Sequence, residues 1–230
     1  MNFGSGLTSL IRNKDNDTLS QFKISPSLML SDSIPEKTTA IIVGPGFTDF
    51  SENTADQIKT WASKQKSPAI VFDAGFLTAK PFLDFLGELN KDNKNARIIL
   101  TPHLAEYSKL EKNCGHKAEA DIESLANDPL VKLRLSSIFS SVFPNTTLII
   151  KSANTFIASD RSTYIIANGP QSLAKGGSGD LLAGMAGSLL AQGYSAKEAA
   201  ITAAYHHAQT ALSIGEQAYD LTPERFLDLI

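Results

Sequence analysis

The stretch LAKGGSGDLLAG, residues 173–184, places three glycines and one carboxylate, Asp180, directly ahead of a run of small and apolar residues. Glycines let a chain turn with positive φ and present successive backbone N–H groups, and a following helix adds its positive end. Gly176, Gly177, Ser178 and Gly179 therefore suit an anion. A hydroxyl that accepts a phosphoryl group needs donors for the transferred oxygens and a base for its own proton. GGSGD supplies both within five residues, with Asp180 as the base. A helix cap would account for the aspartate but not for three glycines. Lys175 precedes the glycines and no Lys-Ser/Thr pair follows them, so the turn is not a Walker loop.

The remaining polar motifs gain meaning from the elements that must carry them. Short β-branched or apolar runs at 7–11, 27–30, 40–43, 69–72, 97–100, 147–151, 154–158 and 163–167 read as strands. Helical periodicity at 52–65, 80–91 and 128–143 alternates with them, which predicts βαβ units and a mostly parallel sheet flanked by helices, an α/β fold. TLIIKSANTFIASDRSTYIIANG reads instead as two antiparallel hairpins with turns at SAN and SDRS. Helices follow: about 180–192, closed by Gly193; one opened by the capping-box pattern Ser195 to Glu198; and a short one begun by Thr222-Pro223. On this skeleton Gly44-Pro45-Gly46, Asp73, Thr101-Pro102-His103 and Lys151 each come just after a strand. Ligands of open α/β sheets bind beyond the carboxyl ends of strands, so these motifs are expected to share one crevice.

Composition narrows the classes. The 230 residues, 42% hydrophobic and 20% charged, fit one globular domain over 1–230. A formal charge of -3 with scattered Lys and Arg argues against nucleic acid as a partner. The single cysteine, Cys114, has no pairing partner, which fits a reducing, cytoplasmic setting. The N-terminus lacks a signal-peptide pattern, and LLAGMAGSLLA is too short to span a bilayer, so no membrane segment is expected.

Other residues carry blander readings. His206 and His207 are adjacent on a helix and point in different directions, which speaks for a structural or surface role over a metal site. His116 falls in a polar stretch expected to be solvated, and Glu106 reads as a helix-start stabiliser. Trp61 and the phenylalanines of FLDFLGEL have helical core spacing. Gly184 and Gly187 cost the helix after Asp180 roughly 1 kcal/mol each, and close packing in the interior is expected to offset this.

LAKGGSGDLLAG together with ILTPHLAEYSKL (99–110), IIVGPGF (41–47) and VFDAGFL (71–77) resembles the ADP- or ATP-dependent NAD(P)H-hydrate dehydratases of the ribokinase-like superfamily. The likeness runs from about residue 5 to the C-terminus. It implies that Gly177, Gly179 and Asp180 form the anion hole and catalytic acid/base, and that Gly46, Asp73, His103 and Asp180 line the hydrated nicotinamide nucleotide. KSANT, from Lys151 through Ser152, Ala153 and Asn154 to Thr155, stands where the family's KGAGT holds an adenine nucleotide, alongside Gly176, Gly177, Ser178 and Gly179. The implied reaction phosphorylates the ring hydroxyl with ADP or ATP and expels phosphate to restore NADH or NADPH, with Mg²⁺ on the nucleotide phosphates. A homo-oligomer, or an epimerase partner or fusion, is implied as well.

This chain departs from the family at three motifs. TPHLAE stands for TPHPGE, KSANT for KGAGT, and the Asn-Pro ahead of the glycine turn is replaced in NGPQSLAK. The family's first glycine-bearing strand and helix are not found ahead of GSGLTSLI, which implies a shortened chain or a sheet edge covered by a partner. Two other functions stay open at this point: a small-molecule kinase of the same superfamily, and a non-catalytic nucleotide-binding subunit.

Overall fold

The computed structural model describes residues 6–11, 28–48, 50–116, 120–167, 169–215 and 221–230. Strands β1 (Thr8–Ile11) and β2 (Leu28–Ser31) pair with each other in parallel, as a two-stranded sheet of their own. The central sheet has six strands in sequence order: β3 (Ile41–Val43), β4 (Ala69–Phe72), β5 (Arg97–Leu100), β6 (Thr146–Ile150), β7 (Thr155–Ser159) and β8 (Ser162–Ile166). The pairs from β3 to β6 are parallel, and β6–β7 and β7–β8 are antiparallel, as the two hairpins predict. The tight second hairpin places Asp160 and Arg161 at φ 49° and 62°, the paired positive values of a type I′ turn.

The runs AIVF and TTLII are buried along their whole length, because helices cover both faces of the sheet. On one face Phe72, Leu100 and Ile150 pack against α1 (Glu52–Ala62), α3 (Pro81–Asp92) and α6 (Pro129–Val142), and Trp61, Phe82 and Phe85 fill that core as expected. On the other face Val71, Ile99, Ile149 and Ile157 meet α7 (Ser178–Ala191) and α8 (Ala196–Ile214). Burying each large side chain of these two layers contributes roughly 1.5–3 kcal/mol.

Short helices complete the connections: α2 (Gly75–Thr78), α4 (Leu104–Asn113), α5 (Ile122–Asn127) and α9 (Pro223–Leu227). Ser195 and Glu198 form the anticipated capping box of α8, and Thr222 caps α9 with Pro223 in its first turn. Among the described residues no helix is long and apolar enough to cross a membrane.

Helix α7 carries the glycine turn, and it starts at Ser178, two residues earlier than its sequence pattern suggests. It lies against β3, β4 and α8 in the interior. At Gly187 a Cβ would come within 2.6 Å of Ile42 Cδ1, so that side chain would have to shift, whereas Gly184 faces open space. At the far end of α7 the guanidinium of Arg97 donates to Leu190 O (2.9 Å) and Tyr194 O (2.7 Å). A cation at the negative end of a helix both satisfies orphan carbonyls and fixes the helix along its axis.

Candidate active site

Strand order decides which motifs meet. Because β3 to β6 run in parallel, the loops after them emerge along one edge, and the polar motifs share it. Gly44 has φ +124°, and a Cβ on it would lie 1.8 Å from Asp73 O, so the first two loops interlock at a position only glycine can fill. Gly46 has φ +79° with nothing near its missing Cβ. Beyond Asp73, Ala74 holds φ 54° and ψ −142°, a conformation unfavourable for a residue with a side chain. Beneath these loops Phe72, Phe76, Phe82 and Phe85 pack ring on ring at 5.4–6.4 Å, with Phe50 stacked on Phe76 at 4.7 Å.

Asp73 is 2% exposed and its Oδ1 takes two partners. Lys151 Nζ donates to it at 2.9 Å and the Thr101 hydroxyl at 2.7 Å. Lys151 itself is fixed by its backbone N–H to Pro102 O (2.8 Å) and by a single parallel bridge to His103. The ammonium lies directly under the glycine turn: a Cβ on Gly179 would come within 3.0 Å of Lys151 Nζ and 4.0 Å of Asp73 Oδ2. Of the turn glycines Gly177 alone has positive φ, +85°, and ends the turn as the N-cap of α7 without a side-chain cap bond. Gly176 faces open space. The glycines thus divide the labour: Gly177 for the bend, Gly179 for the close approach of the Lys151 ammonium. Asp180 sits in the first turn of α7, exposed, with no hydrogen-bond or ion-pair partner among the described residues.

The KSANT segment forms the β6–β7 turn. Ser152 Oγ donates to Asn154 O, and the Thr155 hydroxyl reaches Ser152 O at 3.5 Å. Gly169 docks on it, its N–H donating to Ala153 O at 2.9 Å, where a Cβ would sit 2.8 Å from the same oxygen. The chain then passes through a 3₁₀ turn at Gln171–Leu173 into the glycine turn, so the two anticipated nucleotide segments are joined physically.

His103 lies on the same edge, committed to its own helix. Its Nδ1 accepts from the N–H groups of Ala105 (3.1 Å) and Glu106 (3.3 Å), while Glu106 accepts from the His103 N–H at 2.8 Å. This is a capping box with histidine as the cap, and it bears out the helix-start role read for Glu106. His116 corrects the solvated reading: its Nδ1 is 2.7 Å from Oε2 of the fully buried Glu111. Burial raises the Glu111 carboxyl above its ordinary range, partly offset by the His116 and Tyr107 hydrogen bonds.

His207 takes the structural one of the two roles read for it, beside the glycine turn. It is 7% exposed and its Nε2 lies 3.2 Å from Ser178 Oγ, while its neighbour His206 is exposed. Its spacing of four from Ala203 and Ala211, both buried, was the available signal. A hollow of about 320 Å³ between Lys59, Lys66, Pro68, Leu89 and Lys94 lies at the opposite, amino edge of the strands, away from all these groups.

Comparison with known proteins identifies the family and the fold. A family model described as NAD(P)H-hydrate dehydratase matches residues 1–230. The bifunctional NAD(P)H-hydrate repair enzyme Nnr of Helicobacter pylori is 34% identical over 230 residues, which is 100% of this chain and 44% of that protein. The chain thus spans under half the length of that curated relative. The Bacillus subtilis ADP/ATP-dependent NAD(P)H-hydrate dehydratase co-crystallised with ATP/Mg²⁺ superposes with a TM-score of 0.68 at 23% identity, covering 89% of this chain and 70% of that one. A ribokinase-like superfamily protein from Enterococcus faecalis V583 gives 0.69 at 21% identity, over 99% and 76% of the two chains. Both show the fold: an α/β unit of ribokinase-like type with a central, mostly parallel sheet flanked by helices.

Proposed function

We propose that this chain, which belongs to the NAD(P)H-hydrate dehydratase family, uses ADP or ATP to restore NADH or NADPH from the hydrated form. The observation that carries the reading is the stack at the start of α7: Gly179 closed down on Lys151 and Asp73, with an exposed Asp180 beside it that has no partner among the described residues. Donors and a base are then both supplied at the start of one helix.

In this reading the ring hydroxyl attacks the terminal phosphorus of the nucleotide, its proton passes to Asp180, and the shortened nucleotide leaves with the broken P–O bond's electrons. The backbone N–H groups of Gly176, Gly177 and Gly179 and the Lys151 ammonium take up the charge on the transferred group, the Ser178 N–H being given to Lys175 O at 3.3 Å. The ring C–O bond then breaks, phosphate departs with its electron pair, and a proton leaves the neighbouring ring carbon to re-form the double bond. Gly46 and His103 line the nicotinamide side, and Ser152 to Thr155 hold the adenine nucleotide. Asp73 serves that site through Lys151, which lies between it and the turn.

Mg²⁺ would add charge neutralisation on the nucleotide phosphates. The described residues hold no cluster of three His, Cys, Asp or Glu side chains, and Mg²⁺ bound chiefly by phosphates and water needs none. The relative is named bifunctional, and an epimerase partner or fusion, self-assembly and a cytoplasmic location belong to the same proposal.

The test incubates the chain with hydrated NADH, ATP or ADP, and Mg²⁺, and follows recovery of the reduced ring's absorbance. Folded protein that binds both ligands yet recovers none refutes the reading, and a stable phosphorylated product would favour a kinase. Asp180→Asn is expected to lower turnover by about 10²–10⁴-fold while nucleotide affinity stays within about threefold, the range for loss of a general base.

A further inference from the structure

Behind the glycine turn stands His207, a buried group with no part in the steps above. It shares its face of α8 with Ala200, Ala203, Ala204, Ala208 and Ala211, so only small side chains surround the ring on its own helix. Its ring packs against Phe226 of α9 with centroids 5.2 Å apart. Pro223 of the same short helix lies under the turn, where a Cβ on Gly177 would come within 2.7 Å of its Cγ. The hollow between the turn and α9 is small, about 10 Å³, with Ser178, Pro223 and Phe226 in its lining. The imidazole is wedged between α8, α9 and the turn, with Nε2 3.2 Å from Ser178 Oγ.

We infer that His207 is a positioning residue for the phosphoryl-binding turn, holding the Ser178 hydroxyl in the one orientation in which it joins the backbone N–H groups as a donor to bound phosphate. This rests on the function proposed above and deepens it. A hydroxyl has one proton to give and lone pairs to accept with. When the ring carries its proton on Nε2 it donates to Oγ, and the hydroxyl's own proton is left for a phosphate oxygen. Without that partner the hydroxyl would be free among its staggered rotamers, and a bound anion would have to order it. Burial pushes His207 down to about 4, opposed by a hydrogen bond to the Ser178 backbone and reinforced by the Lys151 charge. The ring is therefore neutral at pH 7, with one nitrogen to donate and one to accept.

A double-mutant cycle tests this, with ATP·Mg²⁺ affinity by titration calorimetry and turnover of hydrated NADH as its two readouts. His207→Leu and His207→Gln are made in the wild-type and Ser178→Ala backgrounds, with folding checked by circular dichroism. His207→Leu is expected to weaken ATP binding about tenfold, the scale of one hydrogen bond to a charged group. His207→Gln, whose amide N–H stands in for the Nε2–H, should recover most of that loss. In the Ser178→Ala background His207→Leu should change affinity by less than about twofold. If His207→Leu does not fold, His207→Asn, with an amide too short to reach Ser178, takes its place with the same expectation. Equal losses in both backgrounds, or a glutamine variant as damaged as the leucine one, overturns the inference. A wild-type chain that binds no ATP refutes the proposed function and this inference together. One that binds while the losses simply add refutes the inference alone.

Discussion

Replacing Lys151 by methionine keeps the aliphatic stem and removes the ammonium, leaving Asp73 with the Thr101 hydroxyl as its one remaining side-chain donor among the described residues. The two partners are unequally buried: the Asp73 side chain is 3% exposed and that of Lys151 20%. Stranding a buried charge costs about 3–5 kcal/mol, and the surviving Thr101 bond at 2.7 Å argues for the lower end, about 3 kcal/mol. Asp73→Asn strands the more exposed member, which water can still reach, so about 1–1.5 kcal/mol is expected. The double variant should lose about 1–2 kcal/mol rather than the sum of about 4, because neither charge is left alone. Trp61, the one tryptophan in the chain and 5% exposed, reports unfolding of the core by fluorescence in urea. With a slope of about 2.5 kcal/mol per molar, Lys151→Met should lower the midpoint by about 1.2 M. A larger loss for Asp73→Asn than for Lys151→Met, or a strictly additive double variant, would refute the view that Lys151 exists in part to hold a buried carboxylate under the turn.

Three further perturbations separate conformation from contact. Gly44→Ala, with φ +124° and a clash on Asp73 O, is expected to cost more than about 3 kcal/mol or abolish soluble expression, whereas Gly46→Ala, with free space at φ +79°, should cost only about 1 kcal/mol by thermal denaturation. Ala74→Gly should raise stability by about 1 kcal/mol, as relief of its positive-φ strain outweighs the added freedom of the unfolded chain, and a lowered melting temperature would count against this. His207 is held at about 4 in the fold, below its ordinary 6.5, so the unfolded chain takes up its proton first as pH falls. Its contribution is fully present above about pH 6.5 and is lost as pH falls toward about 4, by at most ~3 kcal/mol in all. His207→Gln should flatten that part of the stability curve, and an unchanged slope would show that other groups carry it.

Much of the site was legible because strand ends are local features. The runs AIIV, AIVF, RIIL and TLIIK end where Gly44, Asp73, Thr101 and Lys151 begin, and parallel strands bring equivalent ends to one edge whatever the rest of the fold does. The capping boxes and the hairpin turn at Asp160-Arg161 follow from chemistry within four or five residues. His103 shows the limit. A histidine after a strand gives no sign in sequence that its ring caps the next helix, and here Nδ1 takes the N–H groups of Ala105 and Glu106.

What the sequence determined by itself was the kind of fold, the order of its elements and the motifs along one edge, since these depend on neighbours along the chain. Only tertiary structure decided that Lys151 reaches Asp73 across 78 positions and that His207 reaches Ser178 across 29. It alone distinguished Gly179 and Gly187, where an added Cβ would crowd Lys151 and Ile42, from Gly176 and Gly184, which face open space. The reason is geometric. Such pairs depend on how α7 and α8 dock against the sheet, and a shift of about 1.5 Å, one residue of helix rise, would re-pair them all without changing a single local propensity.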